Sequence, residues 1–176
     1  AYAREGAAAF LAVGLPPGKQ CYGTGEHGKP FLQGGGAYRY NLSHAGNRVL
    51  LGSADEEIGV DIERIRPFSS RLLERCFSPR ERARAGTDEA ATALWTRKEA
   101  ACKRDGRGLA AGLRTVPVLE GEADVRLFTA RDEEYMLSVC CGETQQDPDW
   151  RRLDGGALCA MLQKLDAEPF EIRQKR

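Results

Sequence analysis

The sequence predicts an α+β fold in which each half of the chain contributes a helix and an antiparallel sheet. Three observations lead there. Short runs that alternate apolar and polar residues, separated by Gly, Asn and Asp, read as strands joined by tight turns. Runs rich in Ala, Leu, Glu, Lys and Arg, bounded by capping residues and glycines, read as helices. Both signals occur on either side of residue 57.

Taken in order, residues 2–15 form a helix that Pro16-Pro17-Gly18 ends. Gly28 to Phe31 is a loop entering a short strand, and Gly34-Gly35-Gly36 is a flexible connection. Tyr38 to Ser43 and Arg48 to Ser53 are strands around the turn Ala45-Gly46-Asn47. The strand at Ile58 to Glu63 opens the second half. Ser78-Pro79-Arg80-Glu81 is a capping box with proline at the first helical position, so a helix starts there. Asp88 caps a longer helix from Glu89 to about Asp105, which Gly106 and Gly108 stop. Strands follow near 113–119, 123–130 and 134–141, the first two joined by Glu120-Gly121-Glu122. The expected organisation is an N-terminal subdomain over 1–56, a C-terminal subdomain with the metal site over 57–150, and a tail over 151–176. The tail belongs to a polar stretch that begins at 142 and carries a helix from Gly155 to Leu165.

The chemistry concentrates in two of these elements. Ile58, Val60 and Ile62 alternate with Gly59, Asp61 and Glu63, which puts the aliphatic side chains on one face and both carboxylates on the other. Two residues of strand separate the acids by roughly 6.6 Å, close enough for both to reach one cation directly or through water. Without a counter-charge they would raise each other's pKa. On the longer helix Glu99 and Lys103 lie one turn apart, and Trp95 stands one turn earlier on the same stripe. A solvated Glu–Lys pair is the bland reading of that spacing, but a large aromatic on the stripe indicates a face at least half buried, where charges need partners or a ligand. Three carboxylates with Lys98 and Lys103 suit a magnesium-bound phosphate site.

Composition bounds the alternatives. Lys plus Arg and Asp plus Glu number 26 each in 176 residues, so no global charge argues for nucleic acid or a membrane, and phosphate binding must be local. No apolar run approaches the ~18 residues that span a bilayer. Arg4 and Glu5 interrupt the alanine-rich start and no signal-like cleavage pattern follows, so the expected compartment is the cytoplasm. The six cysteines, Cys21, Cys76, Cys102, Cys140, Cys141 and Cys159, lack zinc-site spacing and disulfide-scaffold density, and read as reduced structural thiols. A serine nucleophile pairing Ser43 with His44 is rejected, because adjacent strand residues point to opposite faces.

Val60-Asp61-Ile62-Glu63, followed by Trp95-x-x-Lys98-Glu99-Ala100-x-x-Lys103 and then Gly106-x-Gly108-Leu109, resembles the signature of 4′-phosphopantetheinyl transferases of the surfactin-synthetase type. Gly28-Lys29-Pro30-Phe31, Tyr40-Asn41-Leu42-Ser43-His44-Ala45-Gly46 and Cys76-Phe77-Ser78-Pro79-Arg80-Glu81 fall in that family's order, so the resemblance covers roughly residues 28 to 141. It implies two similar subdomains related by a pseudo-two-fold axis, each a small antiparallel sheet packed on a helix, with the active site between them.

It also implies transfer of the phosphopantetheine arm of coenzyme A to a serine of an apo acyl or peptidyl carrier protein, releasing adenosine 3′,5′-bisphosphate. Asp61, Glu63 and Glu99 would hold Mg²⁺, with Mn²⁺ as an alternative, and Glu99 would be the general base. Lys103 would stabilise the pyrophosphate and the departing oxygen, with Lys98 a nearby cation. Ser43 and His44 would touch the phosphates, and Lys29 would border the adenine. Arg4 is matched to a basic residue gripping the 3′-phosphate. His27 receives no role. The resemblance further implies a monomer acting without nucleic acid or membrane.

Surfactin-type members carry several dozen more residues before the first motif, whereas this chain starts at Ala1 without Met, so a fragment is expected. A basic carrier-binding patch is expected at Arg71, Arg75, Arg80, Arg82 and Arg84, near Leu72, Leu73 and Phe77. The competing expectation is a non-catalytic relative that binds carrier protein or coenzyme A without turnover. A regulatory nucleic-acid-binding module is disfavoured by the charge balance.

Overall fold

A computed structural model of the chain describes residues 21–25, 28–33, 37–106, 112–121, 124–143 and 145–157. The helix expected over 2–15, Arg4, His27, Gly34-Gly35-Gly36, Gly108, Leu109 and Cys159 lie outside the described residues, as does the expected tail helix beyond its first three residues.

Among the described residues, seven strands form three antiparallel sheets. β1 (Cys21–Thr24) pairs with β2 (Pro30–Gln33), and β3 (Arg39–Ala45) pairs with β4 (Arg48–Ala54). β5 (Gly59–Arg64), β6 (Arg126–Asp132) and β7 (Tyr135–Cys141) form a three-stranded sheet in the order β5-β7-β6. Helices α1 (Ser70–Cys76), α2 (Pro79–Arg84) and α3 (Asp88–Asp105) connect β5 to β6. No helix among the described residues is long and apolar enough to cross a membrane.

The β3–β4 hairpin extends beyond its pattern, β3 by two residues at its C-terminal end and β4 by one. Its turn is Gly46-Asn47, with Gly46 at φ 56°, so Ser43 and His44 lie inside the strand and not at its end. The α2 capping box is present: the Ser78 hydroxyl accepts from the Glu81 N–H, and Glu81 accepts from the Ser78 N–H at 2.6 Å. α3 differs by one residue at its start. Thr87 is the N-cap, its hydroxyl accepting from the Ala90 N–H at 3.1 Å, and Asp88 sits in the first turn, where its charge favours the helix dipole. Gly106 ends α3 at φ 69°, as a left-handed C-cap does. α1, capped by Ser69, was not separately read from the sequence.

The strand expected at 113–119 is absent. Leu113–Thr115 is a 3₁₀ turn, followed by an irregular segment that buries Val118 and Leu119. Pro117 has no N–H for a ladder, and the carbonyls of Leu113 and Val116 accept from the Lys98 ammonium instead.

The two faces of the three-stranded sheet serve different purposes. Val60, Ile62 and Val139 face the β3–β4 hairpin and form a core with Leu50, Ile58 and Tyr135. The opposite face carries α3, which meets the sheet closely because Gly59 has no side chain. A Cβ at Gly59 would lie 2.0 Å from the Ala100 carbonyl oxygen and 2.3 Å from the Arg104 nitrogen. A second core joins the helices to the irregular segment through Phe77, Leu94, Leu113 and Val118. Complete burial of Phe77 alone contributes about 1.5–3 kcal/mol.

Candidate functional site

β5 is an edge strand, and its outward N–H groups would be orphaned without partners. Two side chains of β3 take them. The Asn41 amide oxygen accepts from the Val60 N–H at 2.8 Å, and the Ser43 hydroxyl accepts from the Ile62 N–H at 3.3 Å. These bonds replace a strand ladder and fix β5, and with it Asp61 and Glu63, against the first hairpin.

Ser43 continues into the acidic face. Its hydroxyl donates to Asp61 Oδ1 at 2.9 Å and accepts from Lys103 Nζ at 2.9 Å, while Lys103 also reaches Asp61 Oδ1 at 2.7 Å. The other Asp61 oxygen, Oδ2, is buried and has no hydrogen-bond partner. Glu63 follows on the same strand face, and Glu99 projects from α3 one turn before Lys103.

The carboxylates lie near enough to influence one another's charge. Burial raises the Asp61 carboxyl, and Lys103 and Ser43 only partly offset this. Burial and the Asp61 charge raise Glu63, against Arg66. Glu99 is pushed up to about 7, first by burial, then by Asp61 and Glu63, with Lys103 opposing. The Trp95 indole N–H completes no hydrogen bond, yet lies near enough to favour charged Glu63. Its ring packs on Phe68 at 5.6 Å between centroids.

Among the described residues no group of three His, Cys, Asp or Glu side chains is drawn together as a ready metal cage. One Asp61 oxygen is committed to Lys103 and Ser43. The donor chemistry nonetheless fits a hard divalent cation: the oxygens are carboxylates, one is a buried orphan, and burial, joined by carboxylate repulsion at Glu63 and Glu99, raises their pKa values.

The other expected site residues fall elsewhere. Lys98 is fully buried; its ammonium pairs with Glu81 at 2.8 Å and donates to the Leu113 and Val116 carbonyls at 2.9 and 2.7 Å. All three N–H bonds are thus used inside the protein, which makes Lys98 a strut between α2, α3 and the irregular segment instead of a cation facing a ligand. Glu81, read from the sequence only as a capping residue, is its partner. His44 lies on the opposite, exposed face of β3 from Ser43. Lys29 pairs with Glu57 at 2.5 Å and donates to the Arg104 carbonyl at 2.8 Å, closing the C-terminus of α3. Burial works against charged Glu57, but Lys29 and Arg39 hold its carboxyl below the usual range. Asn41 was quoted within a motif but given no task by the sequence, because nothing local shows that its acceptor faces an edge strand. The thiols of Cys76, Cys102, Cys140 and Cys141 are free and buried, and burial pushes Cys140 up to about 12, far from reactive thiolate behaviour.

Carboxylates faced by an ammonium and a hydroxyl suit a polyphosphate with a divalent cation. The sequence profile of the 4′-phosphopantetheinyl transferase superfamily matches residues 57–158, and the chain belongs to that superfamily. It is 31% identical over 152 residues to a 4′-phosphopantetheinyl transferase of Bacillus subtilis, covering 76% of this chain and 68% of that protein. Against the 4′-phosphopantetheinyl transferase Sfp of Bacillus subtilis (strain 168) it is 30% identical over 138 residues, covering 68% of this chain and 62% of the relative. With the 4′-phosphopantetheinyl transferase AcpT of Salmonella typhimurium it shares 40% over 91 residues, 47% of each chain. The chain therefore spans about two thirds, or slightly less, of the first two relatives.

Proposed function

We propose that the chain transfers the 4′-phosphopantetheine arm of coenzyme A to a serine hydroxyl of an apo acyl or peptidyl carrier protein, with adenosine 3′,5′-bisphosphate leaving. The observation that carries this reading is the Ser43–Asp61–Lys103 contact beside Glu99, in which Asp61, Glu99 and Lys103 lie on the strand and helix that the superfamily match spans.

Asp61, Glu63 and Glu99 would hold Mg²⁺, or Mn²⁺ in its place, and the ion would neutralise the pyrophosphate and the charge developing at phosphorus. The remaining work falls to the chain's own groups. Glu99, one turn before Lys103 on α3, is the general base that takes the proton of the attacking serine. Lys103 moves its ammonium between the Asp61 carboxylate and the departing phosphate oxygen. Ser43, held by the Ile62 N–H, orients Lys103 and is the phosphate contact this geometry supports, while His44 projects from the other face of β3. Lys29 sets the C-terminus of α3 at the edge proposed to border the adenine.

Carrier recognition is assigned to exposed Arg71, Arg75, Arg80 and Arg84 on α1 and α2. Leu72, Leu73 and Phe77 turn into the core, and Arg82 donates to the Phe77 carbonyl, so the patch is basic without an apolar floor. The subdomain division at 56/57 and the pseudo-two-fold axis belong to the same proposal, as does a monomeric, cytoplasmic enzyme.

The test is the intact mass of an apo carrier protein incubated with the chain, coenzyme A and Mg²⁺, with an EDTA control. A metal-dependent gain of one phosphopantetheine is expected. The second reading is a relative that binds carrier protein or coenzyme A without turnover. Magnesium-dependent coenzyme A binding with no mass gain on any carrier would select it.

A further inference from the structure

We propose that the buried hydroxyl pair Thr96–Ser138 is a positioning element that fixes the rotation of α3 on the sheet, and so sets where Glu99 meets Asp61 and Glu63. The inference rests on the metal-and-phosphate reading above.

Asp61, Ser138 and Thr129 are register partners across β5, β7 and β6, so their side chains stand in one row on the face that carries α3. Thr92, Thr96, Glu99 and Lys103 form one stripe of α3 at spacings of four, three and four residues. Where the stripe crosses the row, Thr96 Oγ1 and Ser138 Oγ lie 2.8 Å apart, with both residues fully buried. The row continues to Thr129 Oγ1, 3.1 Å from Ser138 Oγ, and ends at Arg97 Nε, which donates to Thr129 at 2.8 Å.

The proton directions follow by elimination. Each hydroxyl has one proton to give. Thr96 donates to the Ala93 carbonyl at 3.1 Å, so it must accept from Ser138. Ser138 then accepts from Thr129, which accepts from Arg97. Each of the three hydroxyls donates once and accepts once, in an unbroken chain from guanidinium to helix carbonyl. Bonds aligned this way polarise one another and tolerate little rotation.

The other polar ties between α3 and the sheet, Lys103 to Asp61 and Glu89 to Arg131, each 2.7 Å, run through long flexible side chains and hold the helix's rotation less tightly than two short hydroxyls do. Gly59 against Ala100 and Arg104, and Ala100 with Ala101 and Cys140, are small groups that set how closely the helix approaches. Smooth apolar contact does not fix rotation about the helix axis. Thr96 and Ser138 do, one turn from Glu99, and they touch none of the three carboxylates by any contact the structure shows. They act through Glu99 and are positioning residues only.

The experiment is calorimetric titration of the protein with Mn²⁺ alone, at fixed pH, for wild type, Thr96→Val and Thr96→Ser. Thr96→Val keeps the shape and removes the hydroxyl; roughly tenfold weaker Mn²⁺ binding is expected, the scale on which supporting contacts tune metal ligands. Thr96→Ser should bind within twofold of wild type. A merely structural hydroxyl would lower the melting temperature of Thr96→Val and leave the affinity of the folded protein unchanged, and that result overturns the inference alone. A wild-type protein that binds no Mn²⁺ overturns the site reading and the inference together. Should Thr96→Val fail to fold, Thr129→Val at the partly exposed end of the chain takes its place, with weaker Mn²⁺ binding expected and wild-type affinity refuting the proposal.

Discussion

Replacing Lys98 by Met separates a strut from a ligand-facing cation. In the structure the Lys98 ammonium has no solvent exposure and three partners: Glu81 at 2.8 Å and the carbonyls of Leu113 and Val116 at 2.9 and 2.7 Å. Met fills a similar volume but cannot donate. The Glu81 carboxylate, itself 2% exposed, would keep the Ser78 N–H and lose its counter-charge. Breaking one side of a buried pair costs about 3–5 kcal/mol, because the remaining charge stays desolvated. At roughly 2–4 °C per kcal/mol for a chain of this size, the melting temperature should fall by about 6–20 °C.

The assay is thermal unfolding of Lys98→Met, Glu81→Gln and the double variant, completing a double-mutant cycle. Glu81→Gln retains an acceptor for the N-cap and removes the orphaned charge, so the double variant should be more stable than Lys98→Met alone, with a coupling of about 2 kcal/mol or more. Lys98→Met with a wild-type melting temperature and lost coenzyme A binding would refute this reasoning. It would return Lys98 to the ligand-facing role the sequence suggested.

Other perturbations address the carboxylates and the helix contact. Glu99 is raised to about 7 in the fold, so the folded state holds a proton that the unfolded chain releases above about 4.5; in EDTA, stability should fall as pH rises through 7. After discounting for solvent screening, Glu99→Gln should be about 2 kcal/mol more stable than wild type at pH 8 and show a flatter pH dependence in urea titrations. Equal slopes would contradict the assignment. Gly59→Ala should destabilise by about 3 kcal/mol, since the methyl would meet the Ala100 and Arg104 backbone; an unchanged urea midpoint would show that α3 has room to move. Lys103→Ala should lower turnover by about 10²–10³-fold while changing magnesium affinity far less, measured by carrier modification and by metal titration. Ca²⁺ should bind yet support slower transfer than Mg²⁺, because its looser coordination aligns the pyrophosphate poorly; equal rates would count against the site.

What was legible in the sequence was local. The period of two in Ile58–Glu63 announced the strand and the shared direction of Asp61 and Glu63, and Ser78-Pro79-Arg80-Glu81 announced α2. Both patterns are enforced by the residues' own backbones. Illegible features depended on what lay across a gap. The run at 113–119 has strand-like composition, but its carbonyls were taken by a lysine from another element. Lys98 and Lys103 look equivalent in a motif, yet five helical residues turn them about 140° apart, one into the core and one to Asp61.

The same distinction explains how the candidate site is built. Among the described residues no strand pairs with the free edge of β5, which carries the two acids. Asn41 and Ser43 secure it with side chains instead, satisfying two N–H groups while leaving the Asp61–Glu63 face turned to α3. Ser43 therefore has two functions that a single substitution cannot separate, since it holds the Ile62 N–H and also orients Lys103. Asn41 has only the first. Asn41→Ala leaves the Val60 N–H buried without an acceptor, at a cost of about 1–3 kcal/mol. A loss of metal affinity in Asn41→Ala, in protein that remains folded, would show that the position of β5 and not its sequence alone makes the acidic pair a site.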